Sequence, residues 1–219
     1  MKRSKCYRWL MIGALMLAAG LGLDGLWIHA KAALAQLLLA RAWARSDHGR
    51  EARPPWPWAD MAPIARLSVP RLQRDLIVLN NDSGQALAFG PGWTPSSAVP
   101  GTPGLSVISA HRDTQFRFLQ MLWPGDRLRV DGPRGSSDYQ VTGSRIIDSR
   151  HAHIPAATRA DGLWLVTCYP FDAIVPGGPL RYVVQARRLN VNLNQPNLNQ
   201  IVGKSAPTAG TNPERPGQT

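Results

Sequence analysis

Three residue types that can together carry out acyl transfer stand at comparable places in this sequence, each at the edge of a short apolar run. Cys168 closes Leu163-Trp164-Leu165-Val166-Thr167 and is followed by Tyr169-Pro170. Strand alternation puts Trp164, Val166 and Cys168 on one face, and a thiol at a strand end is rigidly held yet within reach of a substrate. A thiolate attacks carbonyls. His111 ends the run Leu105 to Ala110, and an imidazole, titrating near neutrality, can protonate a leaving amine. Arg181 opens a run after Val175-Pro176-Gly177-Gly178-Pro179. A hairpin-like return there brings its guanidinium beside the thiol, where it would lower the thiol pKa or hold an oxyanion. Each residue also has a plain structural reading: a small buried hydrophobe, a hydrogen-bonded histidine, a solvated charge. The residues alone leave both open.

Other constellations are poorer. His151-x-His153 could offer two metal ligands, but no further ligand stands at zinc-site spacing beside it, so it reads as loop surface. There is no Gly-x-Ser-x-Gly elbow, no His-Glu-x-x-His and no Gly-x4-Gly-Lys run. Gly90-Pro91-Gly92 reads as a turn.

The elements that must position the three residues are short. Strands are expected at Ala65 to Val69, Leu76 to Leu79, Leu105 to Ser109, Arg127 to Val130, Tyr139 to Ile147, Leu163 to Thr167 and Tyr182 to Arg187. A short helix is expected at Phe116 to Leu122. Many short strands with turn signals and no strand–helix alternation point to an all-β domain, a closed antiparallel barrel or a sandwich, over residues 60–189.

Residues 1–8 form a basic segment, and residues 9–28, from Trp9 to Ile28, are apolar but for Asp24. About 20 residues at ~1.5 Å each can cross a hydrocarbon core of ~30 Å. The basic start favours an N-terminus in the cytoplasm and export of the rest. The alternative is a cleaved signal peptide, for which Ala30-Lys31-Ala32 is a passable site. Residues 29–59 read as a helical stalk followed by the linker Arg53-Pro54-Pro55-Trp56-Pro57-Trp58, where proline blocks helix and central strand alike. Residues 190–219, rich in Asn, Gln, Pro, Gly and Thr, read as a largely disordered tail.

The net charge of +11 divides unevenly, with excesses of +6 in residues 1–59, +4 in 60–188 and +1 in 189–219. Over half therefore sits beside the apolar run. The middle segment has no dense basic strip interleaved with aromatics, so nucleic acid is not an expected partner. With a membrane between them Cys6 and Cys168 cannot meet, which leaves Cys168 as the one thiol of the exported part.

Several stretches together resemble the sortases, most closely the class found in Gram-negative bacteria. They are Ile108-Ser109-Ala110-His111-Arg112-Asp113-Thr114-Gln115-Phe116, Trp123-Pro124-Gly125-Asp126, Leu165-Val166-Thr167-Cys168-Tyr169-Pro170-Phe171 and Pro176-Gly177-Gly178-Pro179-Leu180-Arg181-Tyr182. Arg66-Leu67-Ser68-Val69-Pro70 and Phe89-Gly90-Pro91-Gly92 match that family's opening strands. The likeness spans roughly Ala65 to Leu189. It departs at Trp164, where the family often has Thr, and at Ala110, where it often has Gly, and both bear on the shape of a substrate groove.

The resemblance implies a closed eight-stranded barrel, and the basic start with the apolar run at 9–28 leads us to expect it in the periplasm behind an inner-membrane anchor. The resemblance also implies substrate proteins with a C-terminal Leu-Pro-x-Thr-Gly-like sorting signal, an amine acceptor, and no metal or organic cofactor. Cys168 would attack the Thr carbonyl, Arg181 steady the oxyanion and His111 protonate the departing amine. A hydrolytic cysteine peptidase with the same site, or an idle anchored barrel that binds partners, are the alternatives.

Overall fold

The computed structural model describes residues 34–51, 53–151, 161–173 and 177–189. The expected span at 9–28, the tail from 190, Cys6 and His153 lie outside them. Among the described residues no helix is long and apolar enough to cross a membrane.

Eight strands, β1 (Pro63–Val69), β2 (Arg74–Leu79), β3 (Gly92–Trp93), β4 (Leu105–Ser109), β5 (Arg127–Gly132), β6 (Gly135–Asp148), β7 (Gly162–Cys168) and β8 (Leu180–Arg188), close into one barrel. Their order is β1-β2-β3-β4-β7-β8-β6-β5, and β5 pairs back onto β1. The open choice between barrel and sandwich is thus settled as a barrel. Its pairing is mixed, which corrects the antiparallel expectation: β2 runs parallel to β3, and β4 parallel to β7.

Alternation builds the interior. In β1, Ala65, Leu67 and Val69 are fully buried while the residues between them are half-buried. Leu163 and Leu165 of β7 and Val184 and Ala186 of β8 join them in one core with Val130, Tyr139 and the Phe116 ring. The outer face of β4, β7 and β8 is also apolar, because Leu105, Val107, Val166 and Val183 form a second buried cluster against which Ile147 and Trp164 pack. A strand lined with apolar groups on both faces is the usual signature of parallel pairing inside a sheet, as β4 and β7 show here.

The short elements depart most from expectation. The segment expected as a helix at Phe116 to Leu122 is a 3-10 turn, Arg117–Met121, that buries Phe118 and Leu119. The segment read as a turn at Gly90 to Gly92 leads instead into β3, which bridges β2 and β4. Gly92 is required there by contact: a Cβ would stand 2.3 Å from the Asn81 carbonyl oxygen. Helix α1, over residues 34–45, falls in the expected helical stalk, and the short helix α2, Gly84–Leu87, was not anticipated. Leu39 of α1 packs with Met61, Leu79 and Ala86, and Trp56 of the expected linker meets Phe89 at 5.2 Å between ring centroids. The stalk and linker residues therefore lie against the barrel wall.

Leu165 is fully buried in the interior, three positions from Cys168 at the strand end. Leu165→Ala should cost about 2–5 kcal/mol of unfolding free energy, the loss typical of a truncated core leucine. Urea unfolding of the two proteins measures it, and a loss below about 1 kcal/mol would show that the barrel is not packed through β7.

Candidate active site

Cys168 and Arg181 lie on neighbouring strands of the barrel, and His111 follows a third, β4. β7 pairs with β4 on one side and β8 on the other. Cys168 and Arg181 are direct partners in the antiparallel β7–β8 register. Side chains directly opposite each other share a face, with Cβ atoms about 4.5–5.5 Å apart. The Tyr169 N–H continues the ladder to the Leu180 carbonyl at 3.0 Å.

The histidine arrives from the other flank. The last parallel pair of β4 and β7 is Ser109 with Val166, two residues short of His111 and Cys168 respectively. Beyond it the strands stay tied, since the Ala110 N–H donates to the Val166 carbonyl at 3.1 Å. The Thr167 hydroxyl returns a bond to the Ala110 carbonyl at 2.7 Å, from a side chain that is 2 % exposed. His111 itself is exposed and Cys168, a free thiol, is half-buried. The barrel rim therefore presents the thiol between an imidazole-bearing segment and an arginine.

Arg181 is only partly committed. Its Nη1 donates to the carbonyls of Gly178 at 2.6 Å and Leu180 at 3.0 Å, within its own turn. Nε and Nη2 have no partner among the described residues, and these are the donors a reacting oxygen could take. Asp148, paired in register with Leu180, does not compete for that guanidinium. Hydrogen bonds from the Arg150 side chain and its backbone N–H hold the Asp148 carboxyl well below the usual carboxylate range.

Arg112 was missed as a site residue by the sequence reading, which quoted it only within a motif. It is 6 % exposed, and its guanidinium reaches across to the segment after the cysteine. Nη1 donates to the Pro170 carbonyl at 2.8 Å, Nη2 to the Ala173 carbonyl at 2.8 Å, and Nε to Asp113 at 3.3 Å. One buried cation thus fastens the turn that follows the thiol to the turn that carries the imidazole. Tyr169, Phe171 and Tyr182 close the same turn with an aromatic cluster, Phe171 and Tyr182 meeting at 5.2 Å between centroids. The only sequence signal for Arg112 was a charge immediately after a strand-end histidine, which is equally typical of a solvated loop.

Asp113 serves Arg112, and exposed Asp172 has no polar partner among the described residues. His151 stands 3.6 Å from Asp148, and among the described residues no three His, Cys, Asp or Glu side chains gather as a metal site. A cleft of about 590 Å³ on the opposite flank is lined by residues of β1, β2, β5 and β6, among which Arg66 pairs with Asp75 and Arg129 with Asp138. It contains none of the three site residues.

Comparison with known proteins bears on residues 67–189, which match a family model described as the sortase domain. Sortase D of Bacillus subtilis is 32 % identical over 124 residues, 56 % of this chain and 62 % of that protein, so the chain spans less than two thirds of that relative. Among solved structures, sortase A from Corynebacterium diphtheriae superposes with a TM-score of 0.54 at 20 % identity, covering 74 % of this chain and 87 % of that one. A sortase D5 transpeptidase from Clostridium perfringens gives 0.57 at 16 % identity, over 72 % and 99 % of the two chains.

If Arg112 fastens the post-cysteine turn, Arg112→Ala strands the Pro170 and Ala173 carbonyls without their donor. The variant should lose about 1–3 kcal/mol of stability, with faster amide hydrogen exchange over residues 169–173. Arg112→Lys should recover little, because one ammonium cannot span both carbonyls as the guanidinium fork does. Unchanged exchange in both variants would show that the turn holds itself.

Proposed function

The chain belongs to the sortase family, and from that premise we propose that it is a membrane-anchored cysteine transpeptidase of the Gram-negative class. It acts on substrate proteins carrying a C-terminal Leu-Pro-x-Thr-Gly-like signal and passes them to an amine. The observation that supports this most is the register of β7: Cys168 faces Arg181 directly, while the Ala110–Val166 and Thr167–Ala110 bonds bring His111 alongside.

In the proposed reaction the Cys168 thiolate adds to the Thr carbonyl carbon, and the carbonyl π electrons move to oxygen. Arg181 donates to that oxyanion through N–H groups its own turn does not use. As the intermediate collapses the Thr–Gly bond breaks, and His111 gives the departing amine its proton. The thioester that remains is attacked by the acceptor amine, whose proton returns to His111 as the thiolate leaves. A thiolate leaves well, and this lets one site carry both halves of the exchange.

The test is to incubate the full chain in detergent with sorting-signal peptides and a panel of amines. Wild type should yield amine-linked product and Cys168→Ala none, with its fold retained. Release of free acid alone at saturating amine would favour the hydrolytic peptidase reading, and turnover by Cys168→Ala would remove the nucleophile assignment. Arg181→Lys should lose about a hundredfold or more in acylation, the scale of one deleted oxyanion donor.

The same reading places the barrel in the periplasm, supported by the basic start and the apolar run at 9–28. A reporter fused after Asp60 should be active only when exported, and activity confined to the cytoplasm would overturn the topology.

A further inference from the structure

Helix α1 turns two different faces to its surroundings. Ala35, Leu39 and Ala42 are buried, and Leu39 packs with Met61 and Leu79 of the barrel wall. Leu34, Leu37, Arg41 and Ala44 repeat at helical spacing on the other side, and all four are exposed. Between Asp24 and Asp47 the sequence holds no acid, while Lys31, Arg41 and Arg45 are basic. An apolar stripe edged by cations and free of acids is what an interfacial helix presents to lipid.

Beside that stripe lies a hollow of about 210 Å³, lined by Arg41 and Arg45 of α1 and by Arg53 and Pro54-Pro55 of the segment after it. Arg53 gives Nε and Nη2 to Glu51, and its Nη1 has no partner among the described residues. No carboxylate lines the hollow, and three arginines less Glu51 leave the cluster a net charge of +2. The larger cleft beside β1 differs, since Asp75, Asp131 and Asp138 interleave with its arginines. Guanidinium groups converging on one hollow suit a phosphate, whose oxygens accept paired N–H bonds from each fork.

Unpaired charge alone would not single these arginines out, because exposed Arg117 and Arg134 also have no ion pair among the described residues. Their place in the chain does. Residues 29–33 are all that separate Ile28, the last of the apolar run, from Leu34. At no more than ~3.6 Å per residue, α1 starts within about 20 Å of the end of that run. An upright helix would leave Leu34 and Leu37 in water, whereas a helix lying along the surface sinks both and brings its arginines to headgroup level. Trp58, 81 % exposed in the segment after Arg53, has the amphipathic ring that favours the same depth.

We infer that the outward face of α1 and the hollow of Arg41, Arg45 and Arg53 dock on an anionic phospholipid surface, with a headgroup phosphate in the hollow. The inference rests on the anchor reading above. The tether supplies a high effective concentration at the surface, and the hollow supplies the preference for anionic lipid. The barrel then rides on the bilayer instead of standing at the end of a free stalk.

The experiment places the full chain, with Cys6→Ser and Cys168→Ala so that Leu37→Cys is its one thiol, in vesicles of phosphatidylcholine or of phosphatidylcholine mixed with phosphatidylglycerol. A water-soluble maleimide should label Leu37→Cys about tenfold more slowly on the mixed vesicles, since each arginine at an anionic surface favours the docked state by about fivefold. A thiol placed instead at exposed Thr142 on β6 should label equally on both. Arg41→Gln with Arg45→Gln, or raised salt, should return Leu37→Cys to its phosphatidylcholine rate. Equal labelling of Leu37→Cys on the two vesicles, or slow labelling that survives the paired Gln substitutions, would overturn the docking. Flotation with phosphatidylcholine vesicles after alkaline carbonate tests the anchor by itself. A chain that does not float loses the anchor reading and the docking with it, whereas one that floats but labels equally on both vesicles loses the docking alone.

Discussion

Everything at the rim depends on the hydrogen-bond register of one strand. β7 is held by β4 in parallel pairing as far as Val166 and by β8 in antiparallel pairing along its whole length. Because side chains alternate, a slip of one residue against either neighbour would turn Cys168 into the barrel and Thr167 out of it. The core forbids that slip. Leu163 and Leu165 fill the interior from one face while Val166 is buried in the outer cluster, so both faces of β7 are specified by packing. The chemistry is thus fixed by hydrophobic constraints several residues away from the reacting atoms.

Past the last paired residues, polar groups take over from the ladder. The Thr167 hydroxyl and the Arg112 guanidinium are both buried, and both bond carbonyls on the opposite segment, Thr167 to Ala110 and Arg112 to Pro170 and Ala173. The bonds run in opposite senses, from the cysteine strand to the histidine segment and back. Such a pair resists both separation and sliding, whereas one bond alone would act as a hinge. Arg181 is left with an incomplete set of partners, which suits a group that must take up a new one during a reaction.

The sequence made Cys168, His111 and Arg181 legible as candidates because each sits where a short apolar run meets a turn, a signal that needs no knowledge of pairing. Seven of the strands were legible for the same local reason. β3 was not, since its two residues include a glycine and its role comes from contact with the Asn81 backbone. The parallel pairing of β4 with β7 was equally hidden. Its partners lie far apart in the chain, and apolar residues on both faces of a short run do not say which strand lies alongside. Arg112 was invisible as a clamp for a related reason: its acceptors are backbone carbonyls 58 and 61 positions away, and carbonyls carry no sequence signature.

The pairing of β4 with β7 has a further consequence for when reactivity begins. The bond from Thr167 to Ala110 spans 57 positions, and closing so long an excursion costs conformational entropy before any contact offsets it. Contacts of that sequence range make assembly slow compared with local turns and hairpins. The hairpin of β7 and β8 can form early and bring Cys168 to Arg181, but it holds no imidazole. Until the long excursion closes, the emerging chain carries Cys168 without the His111 segment beside it. On the proposed reaction, the order of folding therefore sets when acyl transfer can begin.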